Sequence, residues 1–258
     1  MDRVGMDGFD ELVRLELDGG IATITLDSQH NRNALSRRLI AELGDRLDRA
    51  EAADARAVVI RHEGPTFCAG ADLKERSADD GPLDSTPMVT VMRRLMEMPR
   101  PTIAAVEGAV RAGGIGLMAS CDLVVVRSDV SFALTEVRIG VAAAIISVPI
   151  LRRVPAGKIA AAMLTGEPFS ADEARAMGLV THVTDDVPAQ VAALCDGVRA
   201  GAPRAVAETK RVLQRVPTLD LDTAFDEMRR LSDVLFRGAD AAEGMAAFRE
   251  KRTPVWPT

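Results

Sequence analysis

The chain has 258 residues, of which 47% are hydrophobic and 27% charged, and its formal net charge is −6. This composition is typical of a globular protein, and the length fits one domain with a smaller appended element. The acidic balance and the absence of a Lys/Arg block argue against a nucleic-acid partner. Three dispersed cysteines without a CxxC pair predict no metal or redox site and indicate a reducing, cytoplasmic setting.

The first predicted elements are a β-hairpin, a helix and a buried strand. Apolar and polar residues alternate in residues 12–27 on both sides of the turn sequence Asp18-Gly19-Gly20, as in two antiparallel strands. Three leucines then recur every four residues, which predicts a helix that begins near Ser36. The continuous apolar run 57–60 is typical of a strand covered on both faces.

The middle of the chain alternates between strand and helix patterns. Residues 75–87 are polar and rich in turn formers, which predicts an exposed loop. A helix around 88–98, a strand at 102–106, a helix at 113–120 and a strand at 123–126 follow. Such alternation predicts an α/β fold with parallel strand pairing.

The last third of the chain is predicted to be largely helical. Ser170 and Glu173 form a capping box, and Gly178 suits the end of the helix that they begin. Two further helices are predicted at 203–216 and 221–236. The longest weakly polar run, 139–151, is shorter than the roughly 20 residues that span a bilayer, so we expect no membrane partner.

Three segments carry the candidate chemistry: residues 67–75 (FCAGADLKE), 106–116 (VEGAVRAGGIG) and 132–140 (FALTEVRIG). The first two place small residues where a loop turns into a helix, and helix N-termini present unpaired N–H donors. Two such donors that converge would form an oxyanion hole, in which one donor is worth roughly 2.7–4 kcal/mol of barrier. The third segment places Glu136 among apolar residues, where burial would raise its pKa toward the range useful for proton transfer.

Other interpretations of the same residues remain open at this point. Gly113 could serve close packing, Ala71 could be a core alanine, and Glu136 could pair with Arg138. Residues 114–119 also fit the G-x-G-x-x-A dinucleotide fingerprint. The preceding strand, however, is predicted to end near Val106, and a tight strand-to-helix turn is missing. A serine hydrolase is excluded because the sequence has no G-x-S-x-G motif.

Taken together, the three segments resemble the enoyl-CoA hydratase/isomerase (crotonase) family in order and spacing. Further similar segments are Asn33–Ser36, Leu164–Glu167 with Ala174–Val180, and Glu243–Arg252, so the resemblance runs from about residue 10 to 257. It implies a crotonase-like spiral of ββα turns over residues 1–195. A C-terminal helical region over residues 196–258 would serve trimerisation and contact coenzyme A. The implied assembly is a homotrimer or a homohexamer.

The resemblance also implies roles for individual residues. The amides of Ala71 and Gly113 match the two oxyanion-hole donors, and Glu136 matches a catalytic glutamate. Coenzyme A, as part of an acyl-CoA thioester substrate and not as a separate cofactor, would be contacted by seven residues. These are Asn31, Arg32, Ala69, Asp72, Leu73, Phe248 and Lys251, the last two often across a subunit boundary.

One departure from the family pattern bears on the reaction. Family hydratases typically use two glutamates, and the first of them would stand at position 116, where this chain has Gly116. One alternative is that Glu136 works alone, and another is that an acid of the predicted loop substitutes for the first glutamate. The loop candidates are Glu75, Asp79, Asp80 and Asp84. A reaction that needs only one base would also fit.

Three functions are therefore carried forward from the sequence. Hydration of a trans-2-enoyl-CoA is preferred, because some family hydratases also have Gly at this position and the Glu-Val-Arg-Ile-Gly-Val run resembles theirs. The alternatives are a Δ3,Δ2-enoyl-CoA isomerase with Glu136 as its single base, and a non-catalytic acyl-CoA-binding protein. NAD binding would favour the dinucleotide interpretation instead.

Overall fold

A six-stranded sheet forms the larger of two β-layers in the computed structural model, which describes residues 11–78 and 84–256. Its strands, in chain order, are β1 (Val13–Asp18), β2 (Ile21–Leu26), β3 (Ala57–His62), β5 (Thr102–Val106), β7 (Leu123–Arg127) and β10 (His182–Thr184). They lie in this same order across the sheet. The β1–β2 hairpin is antiparallel, as predicted, and every other neighbouring pair is parallel.

A second sheet of four short strands lies beside the first. It contains β4 (Thr66–Cys68), β6 (Ala109–Arg111), β8 (Ser131–Ala133) and β9 (Phe169–Ser170) in that order. The chain alternates between the sheets, from β3 to β4, β5 to β6 and β7 to β8, so each turn contributes one strand to each layer. β4, β6 and β8 are parallel, and their carboxyl ends therefore meet at one edge. This arrangement is the expected spiral of ββα turns.

Helices complete the turns and the C-terminal region. The helices of the spiral are α1 (Arg37–Ala52), α2 (Leu73–Ala78), α3 (Thr86–Glu97), α4 (Gly113–Ala119), α5 (Ala144–Arg153), α6 (Ala156–Thr165) and α7 (Ala171–Met177). The remaining helices are α8 (Val187–Ala200), α9 (Pro203–Arg215), α10 (Leu221–Phe236) and α11 (Ala239–Glu250). Ser36 caps α1 through Leu39 N, and the predicted capping box at the start of α7 is present.

One sequence prediction in this region is wrong in part. Residues 75–87 were expected to form a loop, yet α2 extends to Ala78 and α3 begins at Thr86. Asp72 accepts hydrogen bonds from the amides of Lys74 and Glu75, so its carboxylate caps the first turn of α2. Asp79 and Asp80 lie outside the described residues.

The predicted boundary at residue 195 lies inside α8, which packs on the first sheet.

A buried lysine joins the C-terminal helices to the spiral. Lys210 of α9 is 6% exposed, and its ammonium donates to Leu95 O at 2.9 Å and Arg100 O at 2.9 Å. It also forms an ion pair with Asp122 Oδ2 at 2.7 Å. The same carboxylate oxygen accepts from the amide and the hydroxyl of Thr102. All three ammonium protons thus have acceptors, and α9 is fixed to the loops that precede β5 and β7.

None of the helices in the described part of the chain is long and apolar enough to cross a membrane.

Candidate active site

The carboxyl edge of the second sheet brings the three chemistry-bearing segments together. Ala71 follows the end of β4, Gly113 follows the end of β6, and Glu136 follows the end of β8. The ladder continues past the strands, because Ala112 N donates to Ala133 O at 2.9 Å. Loops beyond the carboxyl ends of parallel strands are where α/β proteins place their ligands.

The amides of Ala71 and Gly113 lie close together. A Cβ atom built on Gly113 would be 3.7 Å from Ala71 N. Leu35 forms a parallel bridge with Ala71, and Leu35 N donates to Gly70 O at 2.7 Å, which holds this segment in place. Among the hydrogen bonds of the described residues, none has either amide as donor. Both N–H groups are therefore available to one anionic oxygen, as an oxyanion hole requires.

Backbone strain accompanies this arrangement at the residue before α4. Ala112 has φ 46° and ψ −119°, a conformation that a residue with a Cβ rarely adopts. Such a residue costs of order 1–3 kcal/mol and persists only where the surrounding structure imposes it. Here Ala112 N donates a hydrogen bond to Ala133 O, and with Ala112 in this conformation Gly113 begins α4 close to Ala71.

We expect Ala112→Gly to stabilise the protein by about 1 kcal/mol, because glycine adopts a positive φ without strain and loses only part of this gain to its greater unfolded-state entropy. Thermal or urea unfolding measures the change. Ala109→Gly, in the neighbouring strand β6, is the matched control, and there the same substitution should destabilise. Equal losses of stability in Ala112→Gly and Ala109→Gly would show that Ala112 is not strained.

Glu136 begins a 3-10 turn that spans Glu136–Ile139. Burial raises the pKa of its carboxyl above the usual value, and a hydrogen bond from its own backbone amide offsets part of that effect. The Oε2 atom is buried and has no hydrogen-bond partner within the described residues. The alternative pairing with Arg138 does not occur, because Arg138 bonds to Glu167 at 2.5 Å and to Thr165 O. Glu136 thus keeps one oxygen for an outside partner.

Position 116 lies against side chains of two neighbouring helices. A Cβ on Gly116 would be 2.3 Å from Ile146 Cγ2, 2.6 Å from Ile146 Cβ and 3.0 Å from Met92 Cε. The two loop acids that the structure describes each bind a backbone amide at a helix start. Glu75 accepts from Arg37 N, and Asp84 accepts from Thr86 N, so both carboxylates cap helix starts.

The residues predicted to contact coenzyme A fall into two groups. Asn31 donates to Asp72 Oδ2 at 3.0 Å, and this hydrogen bond is the main cause of the lowered pKa of Asp72. Ala69 N donates to Arg32 O at 3.1 Å, and Leu73 is 54% exposed at the start of α2. These five predicted residues therefore form one partly exposed surface beside Ala71.

Phe248 and Lys251 form the second group, at the end of α11. Phe248 is 85% exposed, and Lys251 is the left-handed residue that ends the helix. No hydrogen bond or ion pair of the described residues links either one to the first group. Their predicted contact with coenzyme A stays a prediction.

The sequence interpretation missed residues that shape the site by packing. Asn33 is buried with φ 55°, and its side chain bonds to Ser28 N, Glu63 O and Thr66 O, which fixes the loop that carries Asn31. A Cβ on Gly114 would lie 2.7 Å from Cys68 Cβ, so this glycine lets α4 pack directly on β4. The hydrophobic pattern gives no signal for such contacts between distant segments.

One argument used against a dinucleotide site was wrong. Strand β6 ends at Arg111, one residue before α4, so a tight strand-to-helix turn does precede the Gly-rich segment. The candidate acid, however, follows β8, whereas a dinucleotide fingerprint places it in the same βαβ unit.

Comparison with known proteins gives consistent matches. The family model described as enoyl-CoA hydratase/isomerase matches residues 16–258. The rat protein named enoyl-CoA hydratase domain-containing protein 3, mitochondrial, is 34% identical over 245 residues, which is 92% of this chain and 81% of that protein. A Thermus thermophilus protein whose name assigns it to the enoyl-CoA hydratases is 36% identical over 246 residues, 92% of this chain and 97% of that protein.

Solved structures agree with the sequence matches. The crystal structure of an enoyl-CoA hydratase from Mycobacterium smegmatis has a TM-score of 0.88 and 32% identity, covering 96% of this chain and 100% of that one. Human enoyl-CoA hydratase domain-containing protein 3 has a TM-score of 0.88 and 28% identity, covering 95% and 100%. The chain therefore belongs to the enoyl-CoA hydratase/isomerase family and adopts its crotonase fold.

Proposed function

We propose that this protein catalyses proton transfer at the α-carbon of an enoyl-CoA thioester, with Glu136 as its only acid–base group, and that hydration of a trans-2-enoyl-CoA is its reaction. The observation that supports this is the pair of unbonded amides at Ala71 and Gly113, at the same sheet edge as a half-buried glutamate with a raised pKa. Two donors aimed at a thioester oxygen stabilise the enolate that forms when charge moves onto it.

One carboxylate is enough to account for every proton that moves during hydration. Glu136 as a carboxylate takes a proton from water while the hydroxide oxygen bonds to C3, and the C2=C3 π pair moves through C2 and C1 onto the thioester oxygen. The amides of Ala71 and Gly113 hold that oxygen. The enolate then collapses, and C2 takes the proton from Glu136, which returns to the carboxylate. Water is added across the double bond, and the only molecules required are water and the thioester.

Isomerisation is the second candidate, and the surroundings of Gly116 favour it. Ile146 and Met92 present hydrocarbon where a second carboxylate would grip water. In a 3-enoyl-CoA, Glu136 would remove a proton from C2, the electrons would pass to the thioester oxygen, and the same proton would return at C4. The 3,4 double bond then becomes a 2,3 double bond without consumption of water.

The proposed substrate implies a binding surface and an assembly. We infer that Asn31, Arg32, Ala69, Asp72 and Leu73 contact the coenzyme A portion. Phe248 and Lys251 would reach it from a second copy of the chain in a homotrimer or homohexamer. Large exposed apolar side chains on α10, among them Phe225 at 69% and Phe236 at 70%, support an assembly through this region.

The test is the ultraviolet absorbance of the conjugated thioester. Mixing the purified protein with a short trans-2-enoyl-CoA should remove this absorbance if hydration occurs. With a 3-enoyl-CoA, growth of the same absorbance shows isomerisation instead. Tight binding of both thioesters without any absorbance change would contradict an enzymatic function and leave the acyl-CoA-binding alternative.

A further inference from the structure

The packing between α4 and α5 has a consequence for the reaction. All seven residues of α4 are buried, and Ile146 on α5 is 3% exposed. Gly116 stands one helical turn after Gly113, so both face the same side of α4. A Cβ at Gly113 would meet Met88 Cε at 3.4 Å, and a Cβ at Gly116 would meet Met92 Cε at 3.0 Å. A hydrocarbon wall thus continues from the oxyanion amides to Ile146.

We propose that Ile146 is a specificity-determining residue of this site. Its side chain occupies the space that any side chain at position 116 would need, and this excludes a second carboxylate from that position. The inference rests on the proposed function, because it names what limits that site to one acid–base group. Ile146 thereby leaves to Glu136 the acid–base chemistry that a residue at position 116 could share.

Ile146, and not Met92, is the decisive neighbour for a physical reason. Met92 approaches Gly116 with the end of a flexible, unbranched side chain, which can turn away at little cost. Ile146 approaches with its Cβ and Cγ2 atoms, which are fixed by the α5 backbone and a β-branched rotamer. A side chain at 116 must therefore displace α5 itself. Because α5 begins shortly after the Glu136–Ile139 turn, such a shift would also move Glu136.

The first part of the test measures packing without reference to any substrate. Alanine normally stabilises a helix interior relative to glycine, and Gly197→Ala in α8, where a Cβ meets nothing within 4 Å, should raise the Tm. Gly116→Ala should lower the Tm instead. In an Ile146→Gly background, which removes both the Cβ and the Cγ2 atom, adding Gly116→Ala should no longer lower the Tm. A rise of Tm for Gly116→Ala in the wild-type background would overturn the role of Ile146.

The second part measures the reaction. Gly116→Glu combined with Ile146→Gly should hydrate a trans-2-enoyl-CoA at least tenfold faster than Ile146→Gly alone, and its ratio of hydration to isomerisation should rise. Gly116→Glu alone should lose both Tm and activity. If Gly116→Glu alone gains hydration as large as the double variant does, Ile146 does not exclude the second carboxylate and the proposal fails.

The two parts separate the possible failures. Should the wild type act on neither thioester while the Tm changes follow the expected signs, the packing of Ile146 against Gly116 stands and the proposed function is rejected, together with the specificity role. Should the wild type turn over substrate while the Tm signs do not depend on Ile146, the function stands and the inference about Ile146 is rejected.

Discussion

Glu136→Gln should lower kcat by about 10²–10⁴-fold for the thioester that the wild type converts, because a positioned acid–base group contributes about that much. The amide keeps the size of the side chain but can neither take nor return a proton. KM should change little, since Ala71 and Gly113 still hold the thioester oxygen. Steady-state absorbance assays of both variants measure the effect.

Glu167→Gln is the matched control for this variant. Glu167 is an exposed glutamate that pairs with Arg138, close in the structure to the same turn. Its substitution should leave kcat within about twofold, since exposed ion pairs contribute little. A Glu136→Gln variant that retains wild-type turnover would remove Glu136 from the mechanism.

The raised pKa of Glu136 predicts how both activity and stability change with pH. In the proposed reaction Glu136 begins as the carboxylate. We therefore expect kcat/KM to fall as the pH drops through the pKa of Glu136, which lies above the usual glutamate pKa of 4.5. Stability changes in the opposite direction to activity. The raised folded-state pKa of Glu136 stabilises the folded protein below the unfolded pKa, and this stabilisation is lost as pH rises through the folded pKa. Glu136→Gln should therefore be at least as stable as the wild type at pH 7.

Lys210→Met should destabilise the protein by roughly 3 kcal/mol, or lower its Tm by about 5–10 °C, because breaking one side of a buried ion pair leaves the remaining groups unsatisfied. Asp122 would lose its cation, and the carbonyls of Leu95 and Arg100 would lose a donor. Methionine preserves most of the hydrocarbon volume, so the loss reports mainly on the ammonium.

Lys158→Met tests whether removal of any lysine has this effect. Lys158 is exposed, and the hydrogen bond that it donates within the described part of the chain is a long one, of 3.3 Å to Ala176 O. Its loss should shift the free energy of unfolding by less than about 0.5 kcal/mol. Similar unfolding curves for the two lysine variants would show that Lys210 does not anchor α9 to the spiral.

The sequence predicted those elements of the fold that are specified by residues close together in the chain. The β1–β2 hairpin has its own turn residues, α1 has a cap at Ser36 and an apolar stripe, and α7 has a capping box. The four strands of the second sheet were not predicted, because they have only two or three residues each. A strand that short shows no periodicity, and only pairing between distant segments defines it.

The candidate site was predicted in part for a related reason. Ala71, Gly113 and Glu136 were named from the sequence because small residues at helix starts and a carboxylate among apolar residues favour such chemistry in combination, and the structure brings these residues to one sheet edge. The contact between Ile146 and position 116 was not predicted, since an isoleucine in an apolar helix gives no signal for a contact with a distant glycine. Its significance depends on the 2.3 Å approach to a Cβ at Gly116, which links residues thirty positions apart in sequence.

The composition of α4 ties catalytic competence to global folding. This helix contains three glycines in seven residues, and such a sequence has almost no tendency to be helical by itself. Neighbouring strands and helices hold it in shape from all sides, so partial opening of any of them would release Gly113 from its position. No locally opened form of the protein would then keep the amides of Ala71 and Gly113 together. Hydrogen-exchange protection of the α4 amides and the proposed catalytic activity should therefore be lost together, in one cooperative opening.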